Sequence, residues 1–203
     1  MEIRDRIIAK SIELFSKSGI RLVTMDQIAG ETGVSKRTIY EMFKDKDDLL
    51  LHSMELMSSI YNGELNDIVS SSENAIEALF MIAKHGEMKK AKVNQLFYDD
   101  FKKFYPGIWQ KFKNRYGPGS ESISYKILHK GLNEGVFRKG LNLLIVDTFI
   151  HRLMEICYKN ESFPESTTPE LLVENVIIPY FNGIATRKGQ GLIEKYFSFM
   201  NNQ

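Results

Sequence analysis

The sequence predicts an all-α protein, a three-helix helix-turn-helix domain at the N-terminus followed by a larger helical domain. Three observations carry this. Apolar residues recur at i, i+3, i+4 and i+7 through long stretches of the chain. The five prolines and fourteen glycines of the 203 residues stand singly between those stretches, punctuation that suits helices better than closely spaced strands. There is no strand-like alternation, internal repeat or low-complexity segment. With 43% hydrophobic residues, 26% charge and a net charge of +1, the chain can build a core and carries no global bias toward nucleic acid. Any such attraction must come from where individual charges stand.

The first helix is predicted over residues 3 to 17. Ile8, Ser11, Ile12 and Phe15 share one face, and Ile3, Ile7 and Leu14 widen it. Gly19 stands where a left-handed cap would end this helix. Thr24-Met25-Asp26-Gln27 then forms a capping box, Thr24 as N-cap and Gln27 reaching back. The short helix that follows buries Ile28, with Ala29 small enough for a second helix to approach. Gly33-Val34-Ser35 breaks it after about two turns. Ser35 caps a third helix, Lys36 to Met42, whose inward residues are Ile39 and Phe43. Two short helices joined by a glycine-containing turn and braced by a preceding helix make a helix-turn-helix.

Charge placement sharpens this pattern. Lys36 and Arg37 occupy the first turn of the third helix, where the helix dipole disfavours cations by about 0.3–1 kcal/mol each. Asp or Glu there would favour folding, so the basic pair needs another reason. Double-stranded DNA supplies one, because the N-terminal end of a recognition helix meets bases and phosphates. At the next helix Asp45 is the N-cap and Asp47 and Asp48 suit the first turn, yet Lys46 lies among them. Lys46 thus joins Thr24, Lys36, Arg37 and Tyr40 on one basic and polar face.

The stretch from Thr24 to Leu49, TMDQIAGETGVSKRTIYEMFKDKDDL, closely resembles the N-terminal signature of the TetR family of regulators. The resemblance extends back through Ile7, Ala9, Leu14, Phe15 and Gly19, about the first quarter of the chain. It implies an all-helical homodimer whose DNA-binding arms are moved by a ligand-binding core. On that pattern Thr24, Tyr40 and Lys46 hold phosphates, and Ser35, Lys36, Arg37 and Thr38 lie at the groove-facing end of the recognition helix. Many members have a small residue in place of Arg37 and an aromatic in place of Glu41. Both departures fall on the reading helix, so a relative's operator sequence does not transfer. The implied division is a DNA-binding domain over 1–47 and an effector-binding and dimerisation domain over 48–203.

A long helix is predicted from Asp47 to about Val69, carrying Leu50, Met54, Met57, Tyr61, Leu65 and Ile68. Ser70-Ser71-Ser72 ends it and caps a helix with Ile76, Leu79, Phe80 and Ala83. The next carries Val93, Leu96, Phe97, Phe101 and Phe104 and stops before Pro106. Ile108, Trp109, Phe112 and Tyr116 mark a short helix, and Gly117-Pro118-Gly119 separates it from one ending near Gly135. Residues 142 to 159 are apolar on more than one side, as a helix central to a core or at a subunit interface must be. Thr168-Pro169-Glu170 is a strong helix start. The helix it opens runs through Leu171, Val176, Ile177, Tyr180 and Phe181, with a kink at Pro179. In the resembled family the last two long helices pair with their twins, which makes Phe149, Leu153, Ile177 and Phe181 the candidate dimer residues. A final amphipathic piece carries Leu192, Ile193, Tyr196, Phe197 and Met200.

No catalytic motif, phosphate loop or cofactor signature is present. His52, His85, His129 and His151 show no metal-ligand spacing with one another or with Cys157. Cys157, the single cysteine, stands in an apolar run with Leu153, Met154, Ile156 and Tyr158 and is expected to be a buried structural thiol. The stretch Phe97, Tyr98, Phe101, Phe104, Tyr105, Trp109, Phe112 and Tyr116 is the best pocket candidate, with Phe97, Phe101, Trp109 and Phe112 lining it for a small apolar or aromatic effector. The charged N-terminus and the lack of a ~20-residue apolar run predict a cytoplasmic protein that does not enter a membrane. Three functions compete: a repressor released from operator DNA by a small molecule, a helical dimeric regulator that senses a protein or peptide partner, and an enzyme built on a helical bundle, against which the basic start of the recognition helix counts.

Overall fold

The ends of the first helices fall where capping chemistry puts them. In the computed structural model, which describes residues 2–90, 93–115, 117–159, 163–164 and 166–200, α1 spans Ile3–Ser18, α2 Met25–Thr32 and α3 Lys36–Met42. The Thr24 hydroxyl accepts the Gln27 N–H at 3.1 Å, and the Ser35 hydroxyl accepts the Thr38 N–H at 3.0 Å. Gly33 ends α2 in the left-handed conformation (φ +67°), which a side chain would strain, and the turn to α3 follows at once. Helix α4, Lys46–Ser71, is opened by a reciprocal box: Asp45 accepts the Asp48 N–H at 2.8 Å and Asp48 accepts the Lys44 N–H at 3.0 Å.

Downstream lie α5 (Ala75–Lys90), α6 (Gln95–Phe104), α7 (Pro106–Arg115), α8 (Ile123–Asn133) and α9 (Leu143–Lys159). They are followed by α10 (Pro169–Leu172), a π turn over Val173–Ile177, α11 (Ile178–Ile184) and α12 (Arg187–Met200). The fold is all-α. Among the described residues the one extended pairing is an isolated bridge between Phe137 and Ala185.

Three local expectations are corrected. Gly19 has positive φ (+82°) but an extended ψ of 162°, so it is not a left-handed cap. A Cβ there would lie 3.1 Å from both Leu96 Cβ and Asp100 Oδ2, so glycine is needed for the close approach of α6 as well as for the backbone. The serines 70–72 do not cap α5; their hydroxyls bond back to carbonyls of α4 at Asn66, Asp67 and Ile68. Asn74 caps α5 instead, accepting the Glu77 N–H at 2.9 Å. At Pro179 the helix widens rather than simply kinking: the Ile178 N–H bonds to Val173 O, five residues back. Proline has no N–H and its ring would meet the carbonyl four residues earlier; a π turn just upstream relieves both demands.

The chain forms two compact units. The first gathers Met1–Glu64 and Lys84–Arg115, and the second Leu65–Ala83 and Tyr116–Gln203. The core of the first is built from Ile7, Phe15, Ile28, Ile39, Phe43, Leu49 and Leu50, joined by Phe97 and Phe101 of α6. The compact body around the helix-turn-helix therefore extends beyond residue 47 and takes in α6 and α7. In the second unit Ile76, Ile127, Leu128, Phe137, Val146, Ile150, Phe181 and Ile193 form the core. Among the described residues no helix is long and apolar enough to cross a membrane.

Candidate nucleic-acid interface

Helix α3 turns Ile39 into the core and leaves Ser35, Lys36, Arg37 and Tyr40 exposed, with Thr38 partly covered. The Ser35 and Thr38 hydroxyls lie 2.8 Å apart, so the cap residue also orients the next polar side chain of the first turn. Arg37 is more open than Lys36, its side chain 89% exposed against 47%, with Nε 3.0 Å from Glu41 Oε1 one turn on. Lys36 reaches back to α2 and places Nζ 2.8 Å from Asp26 Oδ2, a hydrogen bond that holds its ammonium above the ordinary pKa. Exposed pairs of this kind contribute little to stability and exchange readily for a stronger anion. The basic pair is thus presented to solvent with weak acidic partners, not locked into the fold.

Thr24 and Lys46 stand at the corner between α1 and α2. The Thr24 hydroxyl is engaged as cap of α2 and its residue remains exposed. Lys46 is half-buried; its ammonium donates to the Arg21 carbonyl at 3.3 Å, and burial lowers its pKa despite the nearby Asp100 and Asp47 carboxylates. Arg4 of α1 lies over the Phe43 ring at 5.2 Å. The sequence did not single out Asp26, Glu41 or Asp100 as partners of these cations. Glu41 is four residues from Arg37 and was open to a helical-spacing argument; Asp26 and Asp100 meet their partners only through the fold.

The effector candidates lie together, in the first unit. Phe97 and Phe101 are buried, and Trp109 and Phe112 are half-buried and packed on the same cluster. Trp109 stands edge-on to Phe101 with centroids 5.4 Å apart, and Phe112 meets Phe101 at 6.1 Å. Tyr116 lies outside the described residues. A separate open groove of about 570 Å³ is lined by Ile178 and Asn182 of α11 and by Arg187, Ile193, Glu194 and Phe197 of α12.

The dimer candidates lie on α9, the π turn and α11. Phe149 is 51% exposed and meets Tyr180 with centroids 5.0 Å apart. Ile145, 67% exposed, and Ile156 share its stripe along α9, while Val146 and Ile150 point into the core. Leu153 and Ile177 are half-buried, whereas Phe181 is only 7% exposed and belongs to the core of its unit.

One polar cluster escaped the sequence. Asp147 of α9 is fully buried; it accepts the Gly119 N–H and the Ser122 hydroxyl, both at 2.8 Å, and the Ser124 hydroxyl. Ser122 in turn caps α8 through the Tyr125 N–H at 3.0 Å. His151 Nε2 lies 3.2 Å from Ser124 Oγ and 3.7 Å from Asp147. Serine and carboxylate face the same imidazole nitrogen, so the group lacks the relay of a nucleophilic triad, in which they engage opposite nitrogens. It is a buried brace between α8 and α9. Cys157 is half-buried, and burial pushes its thiol pKa up, away from reactivity. The Tyr158 side chain lies outside the described residues. No cluster of three or more potential metal ligands occurs among the described residues.

Comparison with known proteins agrees with this geometry. Residues 7–52 match the family model of the bacterial regulatory proteins, tetR family. An uncharacterised HTH-type transcriptional regulator, YerO of Bacillus subtilis, is 39% identical over 67 residues, which are 33% of this chain and 23% of that protein. The chain therefore spans about a quarter of the length of that relative, and 34% of a second, HbdR of Aromatoleum. The fold is shared more widely. A transcriptional regulator from Cytophaga hutchinsonii superposes with a TM-score of 0.67 at 22% identity, covering 90% of this chain and 98% of that one. FadR of Bacillus subtilis, solved in complex with stearoyl-CoA, gives 0.54 at 18% identity over 87% of this chain and 96% of its own. Residues 7–52 therefore form an N-terminal domain of the kind that defines the tetR family of bacterial regulatory proteins.

Proposed function

We propose that this protein is a homodimeric transcriptional repressor that binds double-stranded operator DNA through α3 and is released by a small apolar or aromatic effector. One observation carries the DNA contact. Lys36 and Arg37 occupy the dipole-disfavoured first turn of a capped helix, exposed and paired with surface carboxylates. Lys36, Arg37, Thr38 and Ser35 would read or flank the groove, and Thr24, Tyr40 and Lys46 would hold phosphates.

Dimerisation is supported by the exposed apolar stripe of α9, since monomers rarely leave such a face to water. An apolar effector is supported by the aromatic cluster of α6 and α7 and by the stearoyl-CoA held by FadR, a protein of the same fold. Selecting duplexes from a random pool with the purified protein tests the first part. Recovery of a two-fold symmetric sequence bound by wild type, and bound weakly by the Lys36→Ala/Arg37→Ala double variant, is the expected result. Equal binding by both proteins removes α3 as the reading element. Native mass spectrometry of protein taken from its host tests the second part: a bound small molecule supports it, and a bound peptide or protein favours the alternative effector class.

A further inference from the structure

Helix α6 and its cap residue Asn94 hold the last turn of α1 and the loop that leads from it to the cap residue Thr24. The Asn94 N–H donates to Ser16 O at 2.8 Å and its side-chain amide donates to Lys17 O at 3.1 Å. Nearly two turns further along, on α6, Asp100 Oδ2 accepts the Arg21 N–H at 2.8 Å. The Arg21 carbonyl accepts from the Lys46 ammonium, so residue 21 is held at both backbone ends, by Asp100 on one side and Lys46 on the other. Its guanidinium lies 4.3 Å above the Phe104 ring, again on α6, and Gly19 leaves room for Leu96 and Asp100 to approach.

We propose that Asp100 is a positioning residue for DNA binding: it fixes the Arg21 peptides and, through them, the direction in which Lys46 presents its ammonium. The inference rests on the assignment of Lys46 as a phosphate contact. Asp100 itself touches no nucleic acid in this scheme; it sets where a cation stands. A merely electrostatic role makes the opposite prediction. Removing a carboxylate beside a DNA-binding cation strengthens attraction to phosphate. Loss of positioning weakens binding despite the favourable change of charge, so the sign of the effect separates the two.

The test uses the full chain and a duplex selected by the wild type. Asp100→Ala should weaken binding roughly three- to tenfold, the consequence of losing one hydrogen bond. Asp100→Asn, which keeps an oxygen acceptor for the Arg21 N–H, should bind at least as tightly as wild type. Hydrogen exchange at the Arg21 amide should speed up in the alanine variant and stay slow in the asparagine variant. In a Lys46→Ala background, Asp100→Ala should lose most of its effect, because the two act in one chain of contacts. Binding by Asp100→Ala as tight as wild type, or equal losses with and without Lys46, overturns the proposal while leaving the phosphate contact in place. If Lys46→Ala alone binds like wild type, the phosphate assignment fails, and this inference with it.

Discussion

Lys36 and Arg37 oppose the α3 dipole, and their acidic partners are too exposed to offset that opposition. Replacing either by alanine should therefore leave the unfolding free energy within about 1 kcal/mol of wild type, or raise it slightly. Affinity for a selected operator should fall by about 1–3 kcal/mol for whichever residue contacts a base in bidentate fashion. Chemical denaturation and fluorescence anisotropy on the same variants separate the two quantities. A variant that loses stability and binding in proportion would show a folding residue instead. Asp147 should behave in the reverse way. Alanine there leaves the Gly119 N–H and two serine hydroxyls without their acceptor in a buried place, a loss on the order of 3 kcal/mol. Urea unfolding of Asp147→Ala with an unchanged midpoint would dismiss the brace. The sequence offered no sign of this residue, because a single Asp in a run of apolar residues acquires meaning only when Gly119, Ser122 and Ser124 are folded against it. Thr24, Ser35 and Asp45 were legible because each bonds a backbone N–H three residues away.

At the scale of elements, the same division between local and distant partners explains what the sequence revealed. Helices α1 to α3 follow from capping and periodicity alone. The docking of α6 does not, since the Arg21–Asp100 bond spans 79 residues. The aromatic run on α6 and α7 was visible, but its place in the core around the helix-turn-helix was not. The breadth of α9 was also legible, and it resolves into two faces, Val146 and Ile150 inward and Ile145, Phe149 and Ile156 outward. Phe149→Asp puts a charge on a side chain already half exposed in the single chain, so folding should survive with helix content largely unchanged. If this stripe is the dimer face, the charge becomes buried and unpaired there and the dimer should dissociate. Sedimentation is the check: a wild-type monomer at micromolar concentration, or a Phe149→Asp dimer as tight as wild type, would remove α9 from the interface. Phe181→Asp is a poorer probe, because its ring is buried within its own unit and the charge would unfold that core.

At the scale of the whole molecule, regulation requires that effector and operator favour different states of one protein. The aromatic cluster of α6 and α7 shares a core with α1 and α4, and α6 also holds the loop before α2. A compound inserted beside Phe101 and Trp109 must displace side chains that now touch, since those rings stand 5.4 Å apart. In a dimer reading two half-sites at fixed spacing, a small change in each domain disturbs both contacts together. The compound can drive that change only as far as it binds the displaced state more tightly; a hundredfold preference corresponds to about 2.7 kcal/mol. Linkage makes the effect reciprocal, so operator DNA must weaken effector binding by the same hundredfold. Trp109, the single tryptophan, lies against Phe101 and supplies the signal. Titrating apolar and aromatic compounds while following its fluorescence should identify a binder, and repeating the titration with saturating operator should raise that binder's apparent Kd. A compound that binds with the same Kd in both titrations does not act as the effector, however tightly it is held, because equal affinity for two states shifts nothing.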